Sequence, residues 1–239
     1  MSRLQTITFG IMILVVTAGC IGLGRWQLRR LADRRAANHA TAEVRGMPTV
    51  VLNEDLPAQL EQRRVIAAGR YDHDRTIILR GRPYLGSPGV RVVTPLRLAE
   101  HDTAILVDRG FVPSADAVGV DRSALASPDT ATVTGPAWPI RREPGAAKPV
   151  ARDGATTWRL LEQTAVEDFL PYPVMPVVVL LAPGPAPTGY PRALEPPPLD
   201  DGPHLSYAIQ WFAFATIGLV GGGILLHRRG NLGQHSNIT

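Results

Sequence analysis

The sequence predicts a membrane protein of the α+β class, in which two transmembrane helices flank a mainly antiparallel β-rich domain outside the cytoplasm. Two long apolar runs without a charged residue lie towards the two ends of the 239-residue chain, at 7–24 and 207–226. Each is close to the roughly 17 to 25 residues that a bilayer-spanning helix requires. Between them, short runs rich in Val, Ile and Thr alternate with turn residues, which is the pattern of closely spaced strands.

These runs divide the chain into four parts. We expect a first transmembrane helix at 7–26, a β-rich extracytoplasmic domain at 27–203, a second transmembrane helix at 204–227 and a cytoplasmic tail at 228–239. The last part of the domain, 182–203, is a proline-rich connector that forms neither a helix nor a central strand.

The first apolar run has an alternative interpretation as a secretory signal, because the segment from Thr17 to Cys20 resembles a lipoprotein cleavage box. A larger aliphatic residue is usual where Thr17 stands, and the apolar run continues past Cys20. We therefore favour an uncleaved transmembrane helix, and leave lipidation of Cys20 open.

The charges near the spans bear on orientation. Arg3, Arg228 and Arg229 favour cytoplasmic termini by the positive-inside rule. A set of arginines directly after the first span favours the opposite orientation: Arg25, Arg29, Arg30, Arg34 and Arg35. Because a long loop translocates largely regardless of its charge, we expect both termini in the cytoplasm. The formal net charge of +4 is small and dispersed, which favours contact with lipid head groups and argues against a nucleic-acid partner.

Small residues mark one face of each apolar run. Gly218 and Gly222 form a small-xxx-small step in the second run, and Gly10, Thr17 and Gly24 recur at intervals of seven in the first. We therefore expect the two helices to pack side by side through these faces. Trp26 and Trp211 fit the aromatic belts of membrane interfaces.

The domain between the spans is predicted to begin with a helix that continues the first span through 27–45 and ends near Gly46 and Pro48. Further short helices are predicted at 55–62, 121–126 and 162–169. The predicted strands are 63–71, 76–80, 90–98, 103–112, 130–140, 158–161 and 177–181, which form a sheet or a partial barrel.

Motifs for catalysis are absent from the sequence. It contains no phosphate-binding loop, no HExxH pair and no GxSxG elbow, so we expect no enzyme, no catalytic residues and no metal site. The acidic and histidine residues at 72–74 are interpreted as a polar turn rather than metal ligands. Asp108 and Arg109 lie in a strand, where a structural ion pair or a solvated face is expected.

His204 is the one residue that points to a cofactor. It lies at the start of the second span on the same helical stripe as Tyr207 and Trp211, and a neutral imidazole binds haem iron well. His204, Tyr207 and Trp211 therefore form a candidate haem face. The alternative is that His204 anchors the helix at the interface.

Four segments, at 23–30, 90–113, 133–135 and 204–212, together resemble the surfeit-locus family of cytochrome c oxidase assembly factors. They read LGRWQLRR, then VRVVTPL followed by LVDRGFVP, then VTG, and finally HLSYAIQWF. Phe111 stands where Trp is common in the family, and Val90 stands where an aromatic residue is common.

This resemblance implies a function for the chain. It implies a non-enzymatic helper in the plasma (inner) membrane of a bacterium, which assists maturation of subunit I of an aa3-type haem-copper oxidase, or haem a insertion into it. It also implies transient binding of haem a at His204, and contacts with subunit I, other assembly factors and the lipid bilayer. We assign the partner contacts to Trp26, Gln27, Arg30, Gly218 and Gly222. The alternative is a membrane-tethered ligand-binding or sensor module.

Overall fold

The structure is a computed structural model that describes residues 3–52, 56–99, 101–121, 125, 128–143, 149–152, 155–184 and 189–234. Its helices are α1 (Arg3–Gly46), α2 (Gln163–Phe169) and α3 (His204–Gln234). The chain divides into two compact units, one formed by 1–40 with 199–239 and the other by 41–198. The first unit contains both long apolar helices, and the second contains the β domain.

Nine strands make up the sheet of the second unit. They are β1 (Val50–Val51), β2 (Arg64–Tyr71), β3 (Ile77–Leu79), β4 (Gly89–Leu98), β5 (Ala104–Pro113), β6 (Thr130–Pro139), β7 (Val150–Arg152), β8 (Ala155–Trp158) and β9 (Val174–Leu180). Their order is β1-β2-β6-β9-β5-β4-β3-β8-β7, and β2 also pairs with β4. This additional pairing closes β2, β6, β9, β5 and β4 into a five-stranded barrel.

The expectation of a mainly antiparallel sheet is wrong, because the sheet is mixed. Among the described strands, the pairs β1–β2, β3–β8 and β5–β9 are parallel. A parallel pair requires a crossover connection rather than a hairpin. Here the chain reaches β9 only after α2, and returns beside β5 in the same direction.

Barrel closure depends on a close approach between β2 and β4. Gly69 pairs with Leu98 at this seam, and a Cβ at Gly69 would collide with the carbonyl oxygen of Arg97. Only glycine lacks that atom, so the residue type at this position is dictated by the approach of the two backbones.

Among the described residues, three hydrophobic clusters form the core of the β domain, and the third contains Ile78, Val90, Val92, Val112 and Leu125. The first lies among the barrel strands and includes Val65, Leu96, Ile105, Val133 and Val179, all at most 1% exposed. The second lies where α2 packs on the sheet, and contains Ile77, Leu106, Trp158 and Val166. Burial on both sides explains why β4 and β5 are apolar along most of their length.

Most of the predicted elements are confirmed, with corrections at the short ones. The helix that continues the first span reaches Gly46, and α2 begins after Glu162 as expected. The strand predicted at 158–161 is wrong, because β8 ends at Trp158 and bends follow. The segment 56–62 forms bends and a turn instead of a helix, and Asp55 lies outside the described residues. Most of the helix predicted at 121–126 also lies outside them.

Helix α3 begins at His204 and continues through Gln234, so residues 228–234, which follow the predicted span, are also helical. The residues after 234 lie outside the described part. In the connector, the described residues form no helix, and Arg192 makes only an isolated bridge with Phe111.

Candidate functional site

Helices α1 and α3 pair with each other in antiparallel directions. Gly10 lies near Leu226 at one end of the pair, and Gln27 meets His204 towards the other. Between them Thr17 lies opposite Gly218. The prediction that the two helices pack through their small faces is confirmed.

Two glycines permit the close contact of the pair. A Cβ at Gly24 would lie 2.8 Å from the ring of Phe212, and a Cβ at Gly222 would lie 2.6 Å from Ile13 Cδ1. Cys20 and Ala215 are buried along the same seam. Because these positions carry small side chains, the helix backbones approach closely enough for van der Waals packing along the whole seam.

The outward faces of both helices are apolar and exposed. By length and composition the segments Leu4–Gly46 and His204–Arg228 could each cross a bilayer, and little of either apolar stretch is buried. Exposed apolar side chains continue along both helices, among them Ile7, Leu14, Val16, Ile209, Ile217 and Val220. A continuous apolar surface of this kind marks a membrane or protein contact, and helices of this length suit a bilayer.

His204 lies at the first turn of α3 and is held by Gln27 of α1. Its Nδ1 lies 2.9 Å from Gln27 Oε1. Because an amide oxygen only accepts hydrogen bonds, His204 donates from Nδ1 in this contact, and in a neutral imidazole with this tautomer the lone pair is on Nε2. Within the described residues Nε2 has no hydrogen-bond partner.

The side chain of His204 could supply one nitrogen ligand, Nε2, to a haem iron. Histidines that bind metals usually donate the other ring N–H to an acceptor, which fixes the tautomer and orients the ring. Gln27 supplies that acceptor. The described residues contain no group of three or more His, Cys, Asp or Glu side chains that could hold a metal ion.

The other residues of the candidate haem face and partner set are spread over the helix pair. Tyr207 is 47% exposed, and the half-buried Trp211 makes an edge contact with Phe214 at 6.0 Å between ring centroids. Trp26 and Arg30 are exposed. Gly218 and Gly222 pack on α1 of the same chain. Of the predicted site residues, the structure therefore joins His204 with Gln27, and leaves Trp26, Arg30 and Tyr207 on the surface.

A polar clamp near the helix pair was missed at the sequence level. Arg34 Nε and Asn38 Nδ2 donate to the backbone oxygen of Asp200, at 3.1 and 2.8 Å, and Arg35 Nε pairs with Asp201 at 2.8 Å. The signal was present as an acidic pair at the end of the connector that could meet the arginines after the first span. Exposed pairs of this kind contribute little stability, so we expect these contacts to add little to the free energy of folding.

The β domain contains a buried ion pair at Asp108, and the sequence did not reveal which residue is its partner. Asp108 Oδ2 lies 2.6 Å from Arg91 Nη2, and Asp108 Oδ1 accepts from Gly110 N at 3.0 Å. Burial raises the pKa of the Asp108 carboxyl, and the charges of Arg91 and Arg82 oppose that rise. Thus Asp108 forms the structural ion pair expected for it, with Arg91 as the partner.

Arg109, beside Asp108, has a different environment. Its Nη2 donates to Leu125 O at 2.8 Å, and its guanidinium lies 5.6 Å from the centroid of the Tyr71 ring. A β-bulge explains why the adjacent residues Asp108 and Arg109 are both buried. Val92 pairs with Gly110, whereas Val93 pairs with Asp108, so Arg109 is an extra residue in β5. The alternation of side chains between the two faces of the sheet is therefore broken at this point.

Residues 72–74 form the polar turn that was predicted. Asp72 caps a short 3₁₀ turn and accepts from Tyr172 Oη at 2.8 Å. Burial raises the pKa of the Tyr172 hydroxyl, and the hydrogen bond to Asp72 raises it further. His73 Nε2 lies 3.8 Å from Asp129. These contacts indicate that the turn has a structural role within the β domain.

Comparison with known proteins gives one family. The model of the SURF1 family matches residues 14–216. A SURF1-like protein of Monosiga brevicollis is 29% identical over 239 residues, covering 92% of this chain and 88% of that protein. An uncharacterized SURF1-like protein of Mycobacterium bovis is 30% identical over 215 residues, 84% of this chain and 75% of its own length. Surfeit locus protein 1 of Takifugu rubripes is 29% identical over 119 residues, 42% of this chain and 49% of the fish protein.

Proposed function

Because this chain belongs to the SURF1 family, we propose that it is a non-enzymatic assembly factor for a cytochrome c oxidase. Its task is to assist maturation of subunit I of an aa3-type haem-copper oxidase, including the insertion of haem a. The support at family level comes from a match that includes most of α1, the β domain and the first part of α3.

One observation carries the cofactor part of this proposal, namely the oriented imidazole of His204 at the end of the helix pair. Gln27 fixes the ring and leaves Nε2 available as a single neutral ligand. Bound haem a would supply an iron centre that accepts this nitrogen. A site with one protein ligand suits transient holding, because weaker attachment permits transfer to a final site.

The partner surface of the proposal is the exposed side of the helix pair. Trp26 and Arg30 project from α1, and Tyr207 from α3, where they can meet a transmembrane helix of subunit I or of another assembly factor. Gly218 and Gly222 contribute by forming the pair itself. Seams built on small residues leave the larger apolar side chains free to face lipid or a partner.

The proposed location is the plasma (inner) membrane, with both termini in the cytoplasm and the β domain outside. This orientation is supported by Arg228 beyond the apolar part of α3. In this orientation, the contacts of Arg34 and Arg35 with Asp200 and Asp201 lie on the extracytoplasmic side of the membrane.

Co-purification with the oxidase tests the proposal. Subunit I with an affinity tag is isolated from mildly solubilised membranes, and the chain is detected in the eluate. We expect recovery of the wild-type chain, and reduced recovery of a variant with Trp26→Ala and Arg30→Ala. The matched control is Arg70→Ala, an exposed arginine of the β domain that pairs with Asp129. Absence of the wild-type chain from the eluate, while other subunits are present, would contradict the proposal.

A further inference from the structure

The β domain contains a cavity of about 800 Å³, which falls within the range of roughly 300 to 1,000 Å³ typical of small-molecule sites. Its walls come from several strands, from two loops and from the connector before α3. The lining includes Leu79, Arg91, Asp108, Trp138 and Val178 of the sheet, and Leu194 of the connector. All of these residues belong to the second compact unit.

One end of the domain cavity is polar and contains the buried ion pair. Arg91 Nη2 pairs with Asp108 Oδ2, whereas Arg91 Nε is buried without a hydrogen-bond partner in the described part of the chain. The Arg91 side chain keeps 30% of its surface exposed. A guanidinium has five N–H donors, so the ion pair leaves most of the donors of Arg91 unused.

Arg82 adds a second cation to this end. Its Nη2 donates to the backbone oxygen of Arg159 at 2.7 Å, and no carboxylate pairs with it among the described residues. Arg82 and Asp108 line the same cavity, and the charge of Arg82 opposes the rise in the pKa of the Asp108 carboxyl. Glu195 also lines the cavity but is exposed. The lining therefore carries two cations and two carboxylates, of which Arg91 and Asp108 form an ion pair, whereas Arg82 has no carboxylate partner among the described residues.

Most of the other residues in the lining are apolar. Trp138 is half-buried, and Leu160 and Leu161 also line the cavity. The lining contains no cation besides Arg82 and Arg91. A ligand that satisfies the polar and the apolar groups needs a negative charge with acceptor oxygens and an apolar body.

We propose that the domain cavity binds an amphipathic carboxylate, with the carboxylate accepting from Arg91 and Arg82 and the apolar body against Trp138, Leu160 and Leu161. Because the carboxylate of Glu195 also lines the cavity, a carboxylate with one negative charge is favoured over a phosphate dianion. Binding would supply acceptors for donors that the fold leaves unused, and would place apolar carbon against apolar walls. This site lies in the β domain and is independent of haem at His204.

Calorimetric titration of the full chain in nanodiscs tests the proposal, with octanoate as the probe and empty nanodiscs as the blank. Octanol lacks the charge, octylamine reverses it, and octyl phosphate carries the larger anionic head. We expect saturable binding of octanoate at one site per chain, and binding of the other three probes that is about tenfold weaker or absent.

Variants locate the binding site. Arg91→Lys keeps a positive charge beside Asp108 but removes the guanidinium donors, and Arg82→Gln removes the unpaired cation without touching the ion pair. We expect each to weaken octanoate binding about tenfold. Arg70→Gln, which lies outside the lining, should leave it unchanged. If Arg91→Lys fails to fold, Arg82→Gln still decides the question.

Several results would overturn the proposal. They are the absence of saturable octanoate binding, equal binding of octanol, preference for octyl phosphate, or unchanged affinity in the Arg82→Gln variant. None of these results bears on the oxidase function, which rests on the family and on the helix pair.

Discussion

At the residue scale, the contact between His204 and Gln27 was only partly predictable. The helical stripe in the sequence pointed to His204, and Gln27 belonged to the segment that resembles the family. That the two side chains meet depends on the register of helices whose contacting residues are 177 positions apart. No local pattern fixes such a register, so the hydrogen bond required the structure.

This contact predicts how haem binding responds to mutation. If haem a binds at His204 as proposed, His204→Ala should abolish the haem absorbance of the purified full chain, because the proposed nitrogen ligand is lost. Gln27→Leu removes the acceptor that orients the ring, and loss of such an orienting partner typically costs 10- to 100-fold in affinity. Visible absorption after haem a titration measures both effects. His227→Ala, at an exposed histidine of the same helix, is the control. Equal spectra for wild type and His204→Ala would make His204 an anchor.

A second residue-scale prediction concerns Glu162, the N-cap of α2. Its carboxylate accepts from Thr164 N at 3.1 Å and from Ala165 N at 2.9 Å, and the bond to Ala165 is the largest cause that lowers the pKa of Glu162. A lowered pKa in the folded state means that the ionised form stabilises the fold. This stabilisation is present above the usual glutamate pKa and is lost as the pH falls through the folded pKa.

Glu162→Ala should therefore lower the melting temperature at neutral pH, and the difference from wild type should shrink as the medium is acidified. Thermal denaturation of the full chain in detergent, followed by circular dichroism, measures it. Asp168→Ala controls for the loss of one exposed carboxylate in the same helix. A difference that stays constant across the acidic range would show that the carboxylate charge is irrelevant to the cap.

At the element scale, the sequence predicted the strands better than their arrangement. Alternation and β-branched residues located β2, β4, β5 and β6 within a residue or two. Strands β1 and β7 are two and three residues long, which is too short for a periodic signal. β5 and β9 pair in parallel although β6, β7, β8 and α2 lie between them in the chain, and local sequence carries no information about which strand a returning strand will join.

The helix pair was predictable because its small residues recur along both helices. The register makes a further prediction: since Thr17 lies opposite Gly218 and Gly24 opposite Phe212, Cys20 faces Ala215. The chain has a single cysteine, so Ala215→Cys should allow one intramolecular disulfide on mild oxidation. A gel-mobility shift that a reductant reverses detects it. Thr216→Cys, at the exposed neighbouring position, should not cross-link to Cys20 within the chain. Efficient cross-linking of Thr216→Cys alone would contradict the register.

Two adjacent glycines allow the close packing itself to be tested. Gly222 meets Ile13, whereas nothing lies within 4 Å of a Cβ placed on Gly223. In the Ala215→Cys background, Gly222→Leu should therefore reduce the yield of the cross-link several-fold by separating the helices, since overpacking of a tight contact forces the backbones apart. Gly223→Leu should leave the yield unchanged. Similar yields in the two variants would show that the seam does not depend on a small residue at 222.

At the scale of the whole molecule, sequence patterns were enough for the division into two apolar helices and a β domain. The domain cavity was not foreseeable, because its lining is gathered from five strands, two loops and the connector. Asp108 and Arg109 were visible as charges in an apolar strand, but the bulge that buries both, and the choice of Arg91 as the partner, follow from the tertiary fold. The family resemblance, carried by four separate segments, agrees with the family match over 14–216.

Deletion of the gene tests the central claim most directly, through the haem a absorbance of isolated membranes. If the chain assists maturation of oxidase subunit I, the haem a band and oxidase activity should fall in the deletion strain, while the bands of other cytochromes persist. Both should return with the wild-type gene. An unchanged haem a band and unchanged oxidase activity in the deletion strain would contradict the assignment.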